Sequence, residues 1–150
     1  MPVRKVVRRS GKNFRGYFPS RKVGGLIGWE SIHERDAILI LEYTPEVKTF
    51  EEQPSEETYY LDDGTARKYY PDLRVDYADG RVVDIEIKPS QKLENPVLAE
   101  KLSLVARRYA QLNREFVVWT EREIRAEPRF SQYKALHRQR PRQFRIAQEI

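Results

Sequence analysis

The sequence contains no cysteine, which excludes disulfides, zinc–thiolate centres and thiol nucleophiles. It has two histidines, His33 and His137, too few and too distant along the chain to suggest a multi-histidine metal site. No apolar run approaches the roughly 20 residues of a membrane span, and the first residues lack the apolar core of a signal peptide. A soluble protein without membrane association is the expectation. Of the 150 residues, 39% are hydrophobic and 34% charged, enough for one packed core beneath a heavily charged surface.

The net charge of +5 is unevenly divided. Residues 1–22 hold eight lysines or arginines and no acid, residues 23–128 fourteen bases and twenty-two acids, and residues 129–150 six bases and one acid. The three segments therefore carry +8, −8 and +5. This reads as a basic N-terminal arm (1–22), a folded domain (23–128) and a basic C-terminal tail (129–150). Basic ends suit a polyanionic partner such as a nucleic acid, with Arg4, Lys5, Arg8, Arg9, Lys12, Arg15, Arg21, Lys22, Arg138, Arg140 and Arg142 as candidate phosphate contacts. Phe14, Tyr17 and Phe18 in the arm could stack on bases or pin the arm to the core.

Helical spacing of apolar residues predicts a helix over 31–43 with a broad apolar face, ended by Thr44-Pro45. Strands are predicted over 47–51, 58–61, 67–77 and 81–88 as a β-meander, punctuated by Pro54, Asp62-Asp63-Gly64 and Asp79-Gly80. Leu98, Leu102, Val105, Tyr109 and Leu112 mark an amphipathic helix over 95–112, with Asn95 as N-cap and Pro96 in the first turn. The run 115–120 predicts a buried strand after a crossover helix. A helical turn near Glu123 precedes a moderately helical tail. The order implies an α/β domain with a mixed sheet.

The most informative pattern is Pro71-Asp72 followed by Glu86-Ile87-Lys88 on the next strand. A two-residue turn at Asp79-Gly80 would set Asp72 opposite Ile87, on the wrong face. A three-residue loop Ala78-Asp79-Gly80 sets Asp72 opposite Glu86 and Arg74 opposite Asp84. The same register gathers Pro71, Leu73, Val75, Tyr77, Val83, Ile85 and Ile87 on one apolar face, so burial selects it too. Asp72, Glu86 and Lys88 then project from one side, while Asp84 is paired by Arg74. Carboxylates held this close call for a cation. A hard divalent ion, Mg²⁺ or Mn²⁺, takes oxygen ligands, activates water and neutralises charge on a phosphodiester, and a nearby lysine assists.

These residues resemble the PD-(D/E)xK motif of the restriction-endonuclease-like superfamily. With Ser31-Ile32-His33-Glu34 upstream, Gln53-Pro54 at the end of the first strand and Phe116-Val117-Val118-Trp119-Thr120-Glu121 downstream, the chain looks like the N-terminal catalytic domain of the TnsA family from about residue 28 to 123. The resemblance implies a restriction-endonuclease-like core, with a mixed central β-sheet flanked by helices, acting as a Mg²⁺-dependent endodeoxyribonuclease. It also implies cleavage at the 5′ ends of a transposon beside a DDE transposase subunit, and a cytoplasmic, bacterial or phage-encoded protein. A stand-alone phage or mobile-element nuclease and a non-catalytic DNA-binding or assembly module of the same fold are the alternatives.

Carried over by motif position, the catalytic residues are Glu34, Asp72, Glu86 and Lys88, with the first three as metal ligands. Glu34 has a rival role in a capping box with Ser31. Gln53 is an accessory candidate that orients water or phosphate, or bonds backbone at a strand end. His33 reads as a solvated helix residue. The family's C-terminal, partner-binding domain has no room in this length. Both basic ends are expected on the side of the sheet that bears Asp72, Glu86 and Lys88.

Overall fold

The structure, a computed structural model, describes residues 15–141. It begins with a hairpin in which β1 (Gly16–Ser20) pairs antiparallel with β2 (Gly25–Trp29). Phe18, Ile27 and Trp29 enter the main core. Part of the stretch read as an arm is therefore a strand, because burying Phe18 holds its neighbours against the fold. Phe14 and the other residues before Arg15 lie outside the described residues.

α1 (Ile32–Tyr43) begins at Ser31, whose hydroxyl accepts from the Glu34 N–H at 3.1 Å. It ends at Thr44, where the N–H and the hydroxyl both donate to the Ile40 carbonyl, at 3.0 and 2.7 Å. Residues 36–42 are buried without exception, so this helix is enclosed and not merely one-faced. Its two buried carboxylates are paired accordingly. Asp36 accepts from Arg125 at 2.9 Å, and Glu42 accepts from Ser20 Oγ at 2.7 Å and the Arg21 N–H at 2.8 Å.

The central sheet contains β3 (Val47–Glu52), β6 (Leu73–Tyr77), β7 (Val82–Ile87) and β8 (Glu115–Trp119), in that order, antiparallel except for the β7–β8 pair. α2 (Pro96–Gln111) makes the crossover to β8, and the Asn95 side chain caps it by accepting from the Val97 N–H at 2.9 Å. The expected mixed α/β class is what the chain adopts. The meander is not. β4 (Glu57–Tyr60) and β5 (Ala66–Tyr69) form a separate two-stranded hairpin inserted between β3 and β6. The run read as one strand over 67–77 is broken at Pro71, which has no N–H for a ladder, and Pro54 bounds the other side of the insertion.

The register of β6 and β7 is the one derived above. Arg74 lies opposite Asp84, and the Tyr77 N–H donates to the Arg81 carbonyl at 2.9 Å across a loop in which Gly80 takes φ +94°. Leu73, Val75, Val83, Ile85 and Ile87 face α1 in the main core. On the opposite face a second cluster of Tyr59, Tyr69, Leu104, Val105 and Tyr109 joins the inserted hairpin to α2. β8 is not fully buried as expected; as the terminal strand of the sheet it leaves Val117 38% exposed.

α3 (Glu121–Ile124) is the expected short turn, held by a capping box at Thr120. α4 (Arg129–Arg138) follows and packs on α1, with Phe130 and His137 buried; the His137 ring stacks on Phe18 at 4.9 Å. Among the described residues no helix is long and apolar enough to cross a membrane.

The described parts of both basic ends thus sit on the α1 face, opposite the face that carries Glu86, which corrects the expected placement. The cause is packing: Phe18 and Phe130 belong to the apolar core, and that core lies under α1. A test follows from Phe18. In urea unfolding, Phe18→Ala is expected to cost about 3–5 kcal/mol, whereas a midpoint equal to wild type would show that β1 is an appendage.

Candidate active site

Four carboxylates and one lysine meet where β3 ends, β6 begins, β7 ends and α1 starts. Asp72 stands just before β6, and its Oδ2 accepts from the Ile87 N–H at 2.7 Å, which ties it to β7 directly opposite Glu86. Its own N–H donates to the Ile85 carbonyl at 3.1 Å. Glu86 is 6% exposed; its Oε1 accepts from the Tyr69 hydroxyl at 2.5 Å, and its Oε2 lies 3.4 Å from Lys88 Nζ. The alternation of β7 sets Glu86 and Lys88 on one side, as expected, with Glu86 buried against Tyr69 of the inserted hairpin and the Lys88 side chain 32% exposed.

Glu34 arrives from the first turn of α1. Its N–H is bound by the Ser31 hydroxyl, but its carboxylate does not return to the Ser31 N–H as a capping box requires; Oε1 accepts from the Glu30 N–H at 3.1 Å. Gln53 has the left-handed φ of +36°, is 6% exposed, and donates its backbone N–H to the Asp72 carbonyl at 2.9 Å. This bond clips the end of β3 to the start of β6 at the site. A small cavity lies between these elements, lined by Gly28, Glu34, Ile38, Glu52, Gln53, Asp72 and Leu73.

Glu52 is the residue that sequence reasoning missed. One of its carboxylate oxygens, Oε2, is buried without a hydrogen-bond partner. A signal existed: Glu52 follows Phe50 by two positions, so an acid shares the strand face of a core aromatic. Tyr69, the donor to Glu86, was also missed, because a strand running through Pro71 gave no reason to fold it back over β7.

The electrostatics agree with crowding of like charges. Burial, then the neighbouring Glu86 and Glu34, holds the Asp72 carboxyl well above the usual range, against the pull of the Ile87 N–H and Lys88. Burial also raises Glu34, with Glu30 and Glu86 adding to it and the Glu30 N–H and Lys88 opposing. Glu52 is pushed up to about 7 by burial and by Glu34 and Glu30, despite a bond from the Gly28 backbone. A different cluster neutralises Asp84. Arg74 Nε and Nη2 donate to it at 2.7 and 2.9 Å, Arg114 lies at 3.1 Å, and the Tyr109 hydroxyl donates at 2.6 Å. Asp84 is thereby removed as a rival ligand.

As the side chains stand, no three acidic or histidine groups among the described residues close around a point that would enclose an ion. The donor set nevertheless has the chemistry of a hard cation site, being all oxygen, clustered and short of positive charge. His33 lies outside it, its Nε2 3.8 Å from Glu121 Oε1. Glu121 in turn accepts from the Ser90 N–H at 2.8 Å and from the Ser90 hydroxyl, anchoring the segment that follows Lys88.

Of the candidate phosphate contacts, Arg4, Lys5, Arg8, Arg9, Lys12 and Arg142 lie outside the described residues. Lys22 donates to the Thr44 and Val47 carbonyls, the latter at 2.6 Å, and Arg140 pairs with Glu42 at 2.8 Å, so both act within the fold. Arg15 is half-buried, and Arg21 and Arg138 are exposed.

The raised carboxyls fix the sign of a pH effect. In the unfolded chain a glutamate titrates near 4.5, while folded Glu52 titrates near 7. Between these values the folded state holds more protons, so stability falls as pH rises through that window. The melting temperature is expected to be higher near about pH 5 than near about pH 8, and Glu52→Gln to flatten the difference. Identical profiles for the two proteins would show that the Glu52 carboxyl is solvated.

The family described as TnsA-like endonuclease N terminal matches residues 44–121. No curated protein matches the chain. The matched stretch contains Gln53, Asp72, Glu86 and Lys88, and leaves Glu34 just upstream. The mixed sheet flanked by helices is compatible with a restriction-endonuclease-like core. With more than half of its residues in the match, including both strands of the Asp72 and Glu86-Ile87-Lys88 pair, the chain belongs to the TnsA-like endonuclease family.

Proposed function

We propose that the protein is a metal-dependent DNA endonuclease that hydrolyses a phosphodiester bond at the site of Glu34, Asp72, Glu86 and Lys88. One observation carries this reading: Glu86 and Glu34 crowd Asp72 closely enough to raise its proton affinity, Glu86 raises that of Glu34, and Lys88, 3.4 Å from Glu86, is the cation that opposes both. A fold selected for stability alone would have neutralised them, as it neutralised Asp84 two residues from Glu86.

Glu34, Asp72 and Glu86 are the residues that would hold Mg²⁺ or Mn²⁺, with Glu52 beside them. Such an ion supplies a water of lowered pKa and positive charge opposite the phosphate. Lys88 Nζ, held next to Glu86, would donate to the attacking oxygen or to a non-bridging phosphate oxygen and stabilise the charge that develops there. Gln53, at its strained turn, would orient water or phosphate at the cavity it lines. Family membership supports a role in cutting the 5′ ends of a transposon beside a DDE transposase subunit, with the second strand left to that partner.

The test is cleavage of supercoiled plasmid by purified protein in Mg²⁺ or Mn²⁺, with and without chelator, and alone or with a partner transposase on transposon-end DNA. Nicking is expected only with metal, and Asp72→Ala and Lys88→Ala are expected to reduce it by about 100-fold or more. Equal cleavage by wild type and both variants would sink the assignment of the site.

A further inference from the structure

We infer that Tyr69 is a positioning residue for Glu86, and that the inserted β4–β5 hairpin is the strut that sets the Glu86 carboxylate for metal binding. The inference rests on the reading of Glu86 as a metal ligand.

The argument begins with the two oxygens of Glu86. Oε1 accepts from the Tyr69 hydroxyl at 2.5 Å, and Oε2 lies beside Lys88 at 3.4 Å. Tyr69 is 4% exposed, and its hydroxyl, facing a carboxylate oxygen, is the donor of this bond. It fixes one oxygen and with it the plane of the carboxylate, leaving Oε2 as the oxygen directed to the Lys88 side. A hydrogen bond of this kind to a ligating carboxylate governs ligand orientation and metal affinity.

The hydroxyl is itself held in place. Tyr69 pairs with Glu57 in the hairpin register, and Glu57 accepts from Arg114 at 2.7 Å and from Arg74 at 3.3 Å. A single rung of the hairpin therefore anchors to the β6–β8 network through Glu57 and reaches Glu86 through Tyr69. The ring packs edge-on against Phe116 at 5.9 Å, which restricts its rotation.

The structure also contains its own control. Tyr109 donates from α2 to Asp84 at 2.6 Å, a buried tyrosine–carboxylate bond on the same face of the same strand. Asp84 is paired with Arg74 and Arg114 and takes no part in the site. Loss of either hydroxyl removes one buried hydrogen bond, so a merely structural role predicts the same outcome for both.

The experiment is calorimetric titration of Mn²⁺ into wild type, Tyr69→Phe, Tyr109→Phe and Glu86→Ala, with thermal melting to confirm folding. Tyr69→Phe is expected to weaken Mn²⁺ binding by about 10-fold or more, Glu86→Ala to weaken it at least as much, and Tyr109→Phe to leave the affinity at the wild-type value. Unchanged affinity in Tyr69→Phe alongside loss in Glu86→Ala would overturn the role of Tyr69 and leave the metal site standing. Equal weakening by the two tyrosine variants would also overturn it. Absence of Mn²⁺ binding by folded wild type would instead overturn the metal reading itself.

Discussion

The pairing of β6 with β7 is the constraint on which the remainder of the molecule depends. Strand side chains alternate, so a slip of one residue would turn Glu86 into the core and push Ile85 and Ile87 out of it. Exposing two such side chains costs about 1.5–3 kcal/mol each, and Arg74 would lose Asp84. The three-residue loop with Gly80, the apolar face and the Arg74–Asp84 ion pair all favour the same alignment. Asp72 is opposite Glu86 because of that agreement, and its bonds to the Ile87 N–H and the Ile85 carbonyl hold it there.

Positions 84 and 86 share a strand face and are both almost fully buried, yet their surroundings differ in kind. Asp84 receives two guanidinium groups and a phenol, and is fully answered by the protein. Glu86 shares one lysine with Asp72 and Glu34, and Glu52 stands beside Glu34. Buried carboxylates without matching cations cost stability, and the raised proton affinities of three of them express that cost. One half of the face is built to hold the hairpin, β6 and β8 together, while the other half keeps an unmet demand for positive charge. That contrast, more than the presence of an Asp and a Glu-x-Lys, is the physical content of the functional reading.

Much of this was legible in the sequence where two independent signals coincided. The helices 32–43 and 96–111 carried both apolar spacing and a capping residue, and the Asp72–Glu86 register carried both a turn and a buried face. Where one signal stood alone, the reading went astray. The residues around Pro71 are strand-forming on both sides, so the break between β5 and β6 was hidden and Tyr69 could not be placed. The apolar residues of β8 suit a buried strand, but composition does not say which strand lies at an edge. The charge of residues 1–22 spoke for an arm, and Phe18 alone spoke for the core; tertiary packing decided for Phe18. Glu52 was lost because an acid at a strand end ordinarily reads as a solvated terminus.

The location of the site follows from what each face of the sheet can supply. Glu34 and Glu52 belong to the α1 side, where the core is apolar; Glu86 and Lys88 belong to the side of α2 and the hairpin; Asp72 precedes its strand and reaches both. Groups from opposite faces of a sheet are separated by the sheet itself along its length, and they converge only where the strands end. The Gln53–Asp72 backbone bond and the Asp72–Ile87 bond are the two clips that hold those ends in one place. The α1 side can thus be committed to stability, with Phe18 and Phe130 packed beneath the helix, while the opposite side carries an insertion that touches Glu86 directly. Changes in that hairpin can alter how Glu86 is held without disturbing the apolar core, because the two clusters meet at the sheet and share no side chain.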